Sequence, residues 1–131
     1  MRDADGIKRG LVVFFVGCSL AVLAYWPWVW AQDAFAEGVL AVQQQGAVPL
    51  SHISAELLMA LVTLVAAGAW ARKLPWGAPL LLFGLGMFAY GTLNALGWAL
   101  YESPPLAVLM ALVLGGSLLA LPRLIHDLTR R

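Results

Sequence analysis

Charge is what this sequence has least of. Only 11% of its 131 residues are Asp, Glu, Lys or Arg, less than half of the roughly 25% usual in soluble domains. Hydrophobic residues make up 62%, and the mean hydropathy is +0.84. A chain this short has nowhere in water to bury so much apolar surface, so its natural solvent is a lipid bilayer. The net charge is +1, and the basic residues form short clusters instead of a broad patch, which argues against nucleic acid as a partner. Cysteine occurs once, at Cys18 inside an apolar run. That excludes an internal disulfide and a CxxC redox or metal motif. Histidine occurs twice, as His52 and His126, which fall at opposite ends of the predicted bundle and exclude a haem with two axial histidines. No nucleophile elbow or phosphate loop is present. Gly84-Leu85-Gly86 is no nucleotide fingerprint, because it lies in mid-run and follows no strand.

What is present is four apolar runs, at about 11–30, 52–70, 76–100 and 105–121. Each is close to the roughly 20 residues an α-helix needs to cross the hydrocarbon core. Strands of a membrane β-barrel would be about half as long and would alternate apolar with polar. Proline is tolerated in the first turn of a helix and disruptive further in, so Arg72-Lys73-Leu74-Pro75, Glu102-Ser103-Pro104-Pro105 and Pro122 read as boundaries. The expected fold is a single all-α integral membrane domain over residues 1–131, an up-down bundle of four transmembrane helices.

All eight Lys and Arg residues fall in three places. Arg2, Lys8 and Arg9 precede the first run, Arg72 and Lys73 separate the second and third, and Arg123, Arg130 and Arg131 follow the fourth. The other two connections carry no basic residue and hold Asp33, Glu37 and Glu102. The positive-inside rule then predicts that both termini are cytoplasmic and that the acidic connections face outward. The expected location is a cell membrane, the bacterial inner membrane.

Aromatic residues collect at the run ends. Tyr25-Trp26-Pro27-Trp28-Val29-Trp30, Trp98 and Tyr101 fall at the outer boundary, and Trp70 and Trp76 at the inner one. These are headgroup positions, so interfacial anchoring is the expectation for them. Residues 1–31 also resemble a secretory signal, with small residues at Val29 and Ala31. The apolar core is longer than the usual 7 to 15 residues, and tryptophans crowd the site, which favours an uncleaved first helix. Cys18 follows a loose lipoprotein-like box, but the apolar run continues after it, so a packing role is expected. The outer connection, 31–50, places Phe35, Val39 and Val42 near one helical face, as an amphipathic interfacial helix would.

The chemistry is concentrated in a few polar residues at membrane depth. In the second run His52, Glu56 and Thr63 stand at i, i+4 and i+11 and share one stripe. Glu56 lies about 6 Å deeper than His52 at 1.5 Å per residue. In the third run Tyr90, Asn94, Gly97 and Tyr101 follow helical spacing. If the two stripes face each other, His52, Glu56, Tyr90 and Asn94 meet in the outer half of the bundle, with Asp33 and Glu102 above them. A carboxylate in hydrocarbon costs at least about 2.5 kcal/mol and takes a partner. Glu56 is therefore expected to be neutral, paired with a protonated His52, or hydrogen-bonded to Tyr90 and Asn94. The structural alternative is that these groups only snorkel or bond between helices. A closed zinc site would need two ligands beyond His52 and Glu56, so no metal or other cofactor is expected. Gly84, Gly86, Gly91 and Gly97 make the third helix small on two sides, and Gly115-Gly116-Ser117 does so for the fourth. Both patterns suit close helix packing within the chain or between protomers.

A His-x-x-x-Glu face in a small four-helix membrane domain resembles the EXPERA proteins, which include sterol isomerases. The resemblance covers His52 and Glu56, and it implies a membrane cavity that holds a sterol-like ligand. Three functions compete. The first is a binding or transport module for a small amphipathic ligand, with His52, Glu56, Tyr90 and Asn94 as the ligand-binding residues. The second is an accessory or structural subunit of a homo-oligomer or larger membrane complex. The third is an enzyme with no catalytic set beyond His52 and Glu56, acting as acid and base on a lipid-like substrate.

Overall fold

A computed structural model describes residues 2–32 and 49–129, with side chains described for 6–32, 50–97, 99, 100 and 103–129. The described residues are all-helical: α1 (Arg2–Trp30), α2 (Pro49–Ala71), α3 (Gly77–Glu102), α4 (Pro104–Leu119) and α5 (Leu121–Thr129). Four helical stretches are long and apolar enough to cross a membrane: Gly6–Trp30, Leu50–Ala71, Gly77–Gly97 and Pro104–Thr129. Their outer faces carry large apolar side chains, including Leu61, Phe83, Leu112 and Leu119, as expected of helices that face acyl chains. Phe35, Val39 and Val42 lie outside the described residues, as does the amphipathic helix expected around them.

Two helices depart from the sequence expectation. The first begins at Arg2, nine residues before the apolar run, because its charged start is held by tertiary contacts. Lys8 Nζ lies 3.9 Å from Asp127 Oδ2 and 4.8 Å from the centre of the Trp70 ring. The fourth run does not end at Pro122. α4 stops at Leu119, Ala120 keeps right-handed angles, and α5 continues to Thr129. Pro122 is the second residue of α5, where the N–H that proline lacks would have had no intrahelical partner.

The helices α1 and α2 pack antiparallel. Trp26 of α1 meets Glu56 of α2 at one end, and Lys8 of α1 meets Trp70 of α2 at the other. The α2–α3 pair is closed by glycines at every seventh residue of α3. A Cβ at Gly77 would lie 2.5 Å from the Trp70 nitrogen, at Gly84 3.1 Å from Thr63 Oγ1, and at Gly91 3.1 Å from Met59 Sδ. A seven-residue repeat keeps one seam of a helix facing its partner, and small residues there let the backbones approach. Gly86 and Gly97 have open space beside them among the described residues, so they do not belong to the seam with α2.

The turn between α2 and α3 is a Schellman motif. Lys73 N–H bonds the Trp70 carbonyl and Leu74 N–H the Ala69 carbonyl, both at 3.0 Å, with Lys73 at φ 59°. A single extended residue, Ser103 (φ −153°, ψ 96°), joins α3 to α4, and Pro104 and Pro105 open the next helix. The core lies toward the Lys8 end. It gathers Phe15, Ala66, Ala67, Trp70, Ala78, Leu81, Leu85, Ala120 and Leu124, with Phe15 edge-on to Phe88 at 6.2 Å. Cys18 is half-buried.

Candidate functional site

The site is built on the first turns of α2. Pro49 opens that helix, and His52 and Glu56 then stand one turn apart. His52 Nε2 lies 3.1 Å from Glu56 Oε1. On the other side, the indole Nε1 of Trp26 donates a 2.6 Å hydrogen bond to Glu56 Oε2. The carboxylate is therefore fixed at both oxygens, and its side chain is only 16% exposed against 43% for His52. Trp26 is half-buried, while its neighbours Tyr25 and Trp28 are exposed. A tryptophan assigned to the headgroup layer by position thus belongs to the site. Nothing beside Trp26 in the sequence signals this, because its partner Glu56 lies 30 residues away.

Below this carboxylate, α2 and α3 leave a laterally open groove of about 260 Å³. It is lined by His52, Ala55, Glu56, Met59, Met87, Tyr90, Gly91 and Asn94. The four residues picked out in the sequence thus share one groove. Among the described residues they do not form one hydrogen-bonded cluster: Glu56 meets His52 and Trp26, whereas Tyr90 is 74% exposed and Asn94 is exposed. Thr63, from the same stripe of α2, is fully buried against Gly84 and does not line the groove. Asp33 and the side chains of Glu102, Trp98 and Tyr101 lie outside what the structure describes.

The chemical character of the groove is mixed. One carboxyl group and one imidazole stand at its head, a phenol and an amide lie along α3, and two thioethers form its floor. Among the described residues, no three His, Cys, Asp or Glu side chains come together as a metal site would require.

The far end of the molecule holds a second polar centre, which the sequence did not disclose. Asp127 on α5 accepts the Trp70 indole N–H at 3.0 Å. Arg123 Nε lies 3.4 Å and His126 Nδ1 3.6 Å from its Oδ1. Trp70 is fully buried, which corrects the expectation that it anchors in the headgroups. Trp76 is 47% exposed.

Comparison of the chain with protein-family models, curated proteins and solved structures gave no match. The likeness to the EXPERA proteins rests on His52 and Glu56 alone.

Proposed function

We propose that this chain is a small membrane-embedded binding or transport module. It would take an amphipathic ligand, bearing a hydrogen-bond donor or a positive charge, into the groove between α2 and α3. The observation that carries this reading is the fixed Glu56 carboxylate at the head of a groove floored by Met59 and Met87. A carboxylate has about four acceptor sites, and Trp26 and His52 use two, which leaves capacity for a ligand. Met59 and Met87 suit a variable apolar body, because thioether side chains repack easily. Tyr90 and Asn94 would meet the polar part of a ligand entering from the side.

In this reading the four spans form an up-down bundle with both termini cytoplasmic, following the positive-inside rule. The groove then opens toward the outer leaflet of a cell membrane, the bacterial inner membrane. A second reading, an accessory or homo-oligomeric subunit, is favoured by the open space beside Gly86, Gly97 and Gly115, where another helix would fit.

The test is native mass spectrometry of the wild type and Glu56→Gln after purification in mild detergent. The module predicts a small molecule on the wild type that is missing from an equally folded variant. Two empty proteins, both running with the same larger partner, would overturn it in favour of the subunit.

A further inference from the structure

The end of the molecule away from Glu56 carries another groove, of about 400 Å³, lined by Lys8, Arg9, Val12, Val13, Ala71 and Lys73. Three cations thus stand around one space with an apolar wall. Lys8 is held there by Asp127 and by the face of Trp70. Arg9 follows it on α1, and Lys73 reaches in from the turn after α2. The groove sits where the apolar spans Gly6–Trp30 and Leu50–Ala71 begin and end, at the level where lipid phosphates lie.

The backbone supplies an independent observation. Lys73 occupies the left-handed position of the Schellman turn, at φ 59°. Glycine fits that position without strain, and a residue with a Cβ does not. The hydrogen bonds of the turn use only backbone N–H groups, so the lysine side chain contributes nothing to them. A local strain is therefore kept at the one turn position whose side chain lines the basic groove. Like charges gathered in this way repel one another, and an anion bound among them would relieve it.

We propose that this groove binds the phosphate group of an anionic phospholipid, with the start of its acyl chain on Val12 and the exposed Val13. The inference rests on the four apolar stretches being membrane spans, and not on the Glu56 groove. The apolar wall beside the cations is what selects a lipid over a soluble anion. Basic pockets between membrane helices recognise headgroups through this combination.

The experiment uses the full chain in detergent with equal amounts of phosphatidylglycerol and phosphatidylcholine, and counts bound lipids by native mass spectrometry. The wild type retains phosphatidylglycerol selectively. Arg9→Gln and Lys73→Gly each lower that selectivity about fivefold, the effect of one basic residue near an anionic headgroup. Arg72→Gln, which removes the same charge one residue away, leaves it unchanged. In lipid-free detergent, Lys73→Gly unfolds at a higher temperature than the wild type, because the turn is relaxed. A more stable protein that binds less lipid separates a binding role from a structural one. Equal selectivity in the wild type, Arg9→Gln and Lys73→Gly would overturn the proposal. So would displacement of the lipid by millimolar inorganic phosphate, which would assign the groove to a soluble anion.

Discussion

Trp26 Nε1 and Glu56 Oε2 are 2.6 Å apart, joining the last turns of one membrane-length helix to the first turns of the next. Trp26→Phe keeps the aromatic bulk and removes the donor. It is expected to destabilise the protein by about 1–2 kcal/mol, between the values for a bond to a charged group in water and for interhelical bonds in membranes. Thermal unfolding in detergent measures this, and a double-mutant cycle with Glu56→Gln should show coupling between the two sites. Trp28→Phe, at a ring 64% exposed, should change stability by less than about 0.5 kcal/mol.

The glycine seam gives a graded series. Gly77→Ala would place a methyl 2.5 Å from backbone atoms that have no freedom to move. The expected loss is about 3 kcal/mol or more, the upper range for overpacking. Gly84→Ala meets a hydroxyl at 3.1 Å and should cost about 1 kcal/mol. Gly115→Ala enters open space and should be neutral, or stabilising by up to about 1 kcal/mol through helix propensity. Unfolding midpoints that fail to follow the order Gly77, Gly84, Gly115 would contradict the described α2–α3 contact.

Asp127 ties α5 to the rest of the bundle. Asp127→Ala leaves the buried indole N–H of Trp70 without its acceptor and removes one charge partner each from Lys8, Arg123 and His126. A loss of about 2 kcal/mol follows from the unsatisfied donor. Hydrogen exchange should locate the effect, with amides of 121–129 losing protection before those of α2 and α3.

The proposed ligand groove separates binding from folding at three positions. Tyr90→Phe and Asn94→Leu alter exposed side chains and should leave the unfolding midpoint within about 1 °C, since surface changes of this kind are close to neutral. Retention of the co-purifying small molecule should fall in both. Met59→Ala, at a residue 5% exposed, should instead lower stability by about 2–5 kcal/mol as a core truncation. Unchanged retention in both α3 variants would remove Tyr90 and Asn94 from the ligand site.

The positions of the helices were legible because length and composition decide them. Pro75, Pro104 and Pro105 mark their boundaries to within a few residues. The shared groove of His52, Glu56, Tyr90 and Asn94 was legible as a matter of phase along two helices. Tertiary partners were not. Nothing in the sequence near Lys8 says that Asp127 lies within 3.9 Å, so the helical form of residues 2–10 was missed. Trp26 and Trp70 looked alike as boundary tryptophans, yet each donates to a carboxylate on another helix. Pro122 looked like a stop because its position relative to a fresh helix start depends on the break at Ala120. Gly84 and Gly91 stood out as small residues, but only the α2–α3 contact shows that Gly77 belongs with them and that Gly86 and Gly97 do not.

The two indole–carboxylate bonds have a mechanical consequence. Trp26–Glu56 fastens one end of α2 to α1, and Trp70–Asp127 fastens the other end of α2 to α5. A rod pinned at both ends resists tilting. If the groove widens to admit a guest, the displacement therefore falls to α3, whose tightest contact lies at Gly77, at the end remote from the groove. The part of α3 that lines the groove would swing as a lever about that fulcrum, moving less at Met87 than at Asn94.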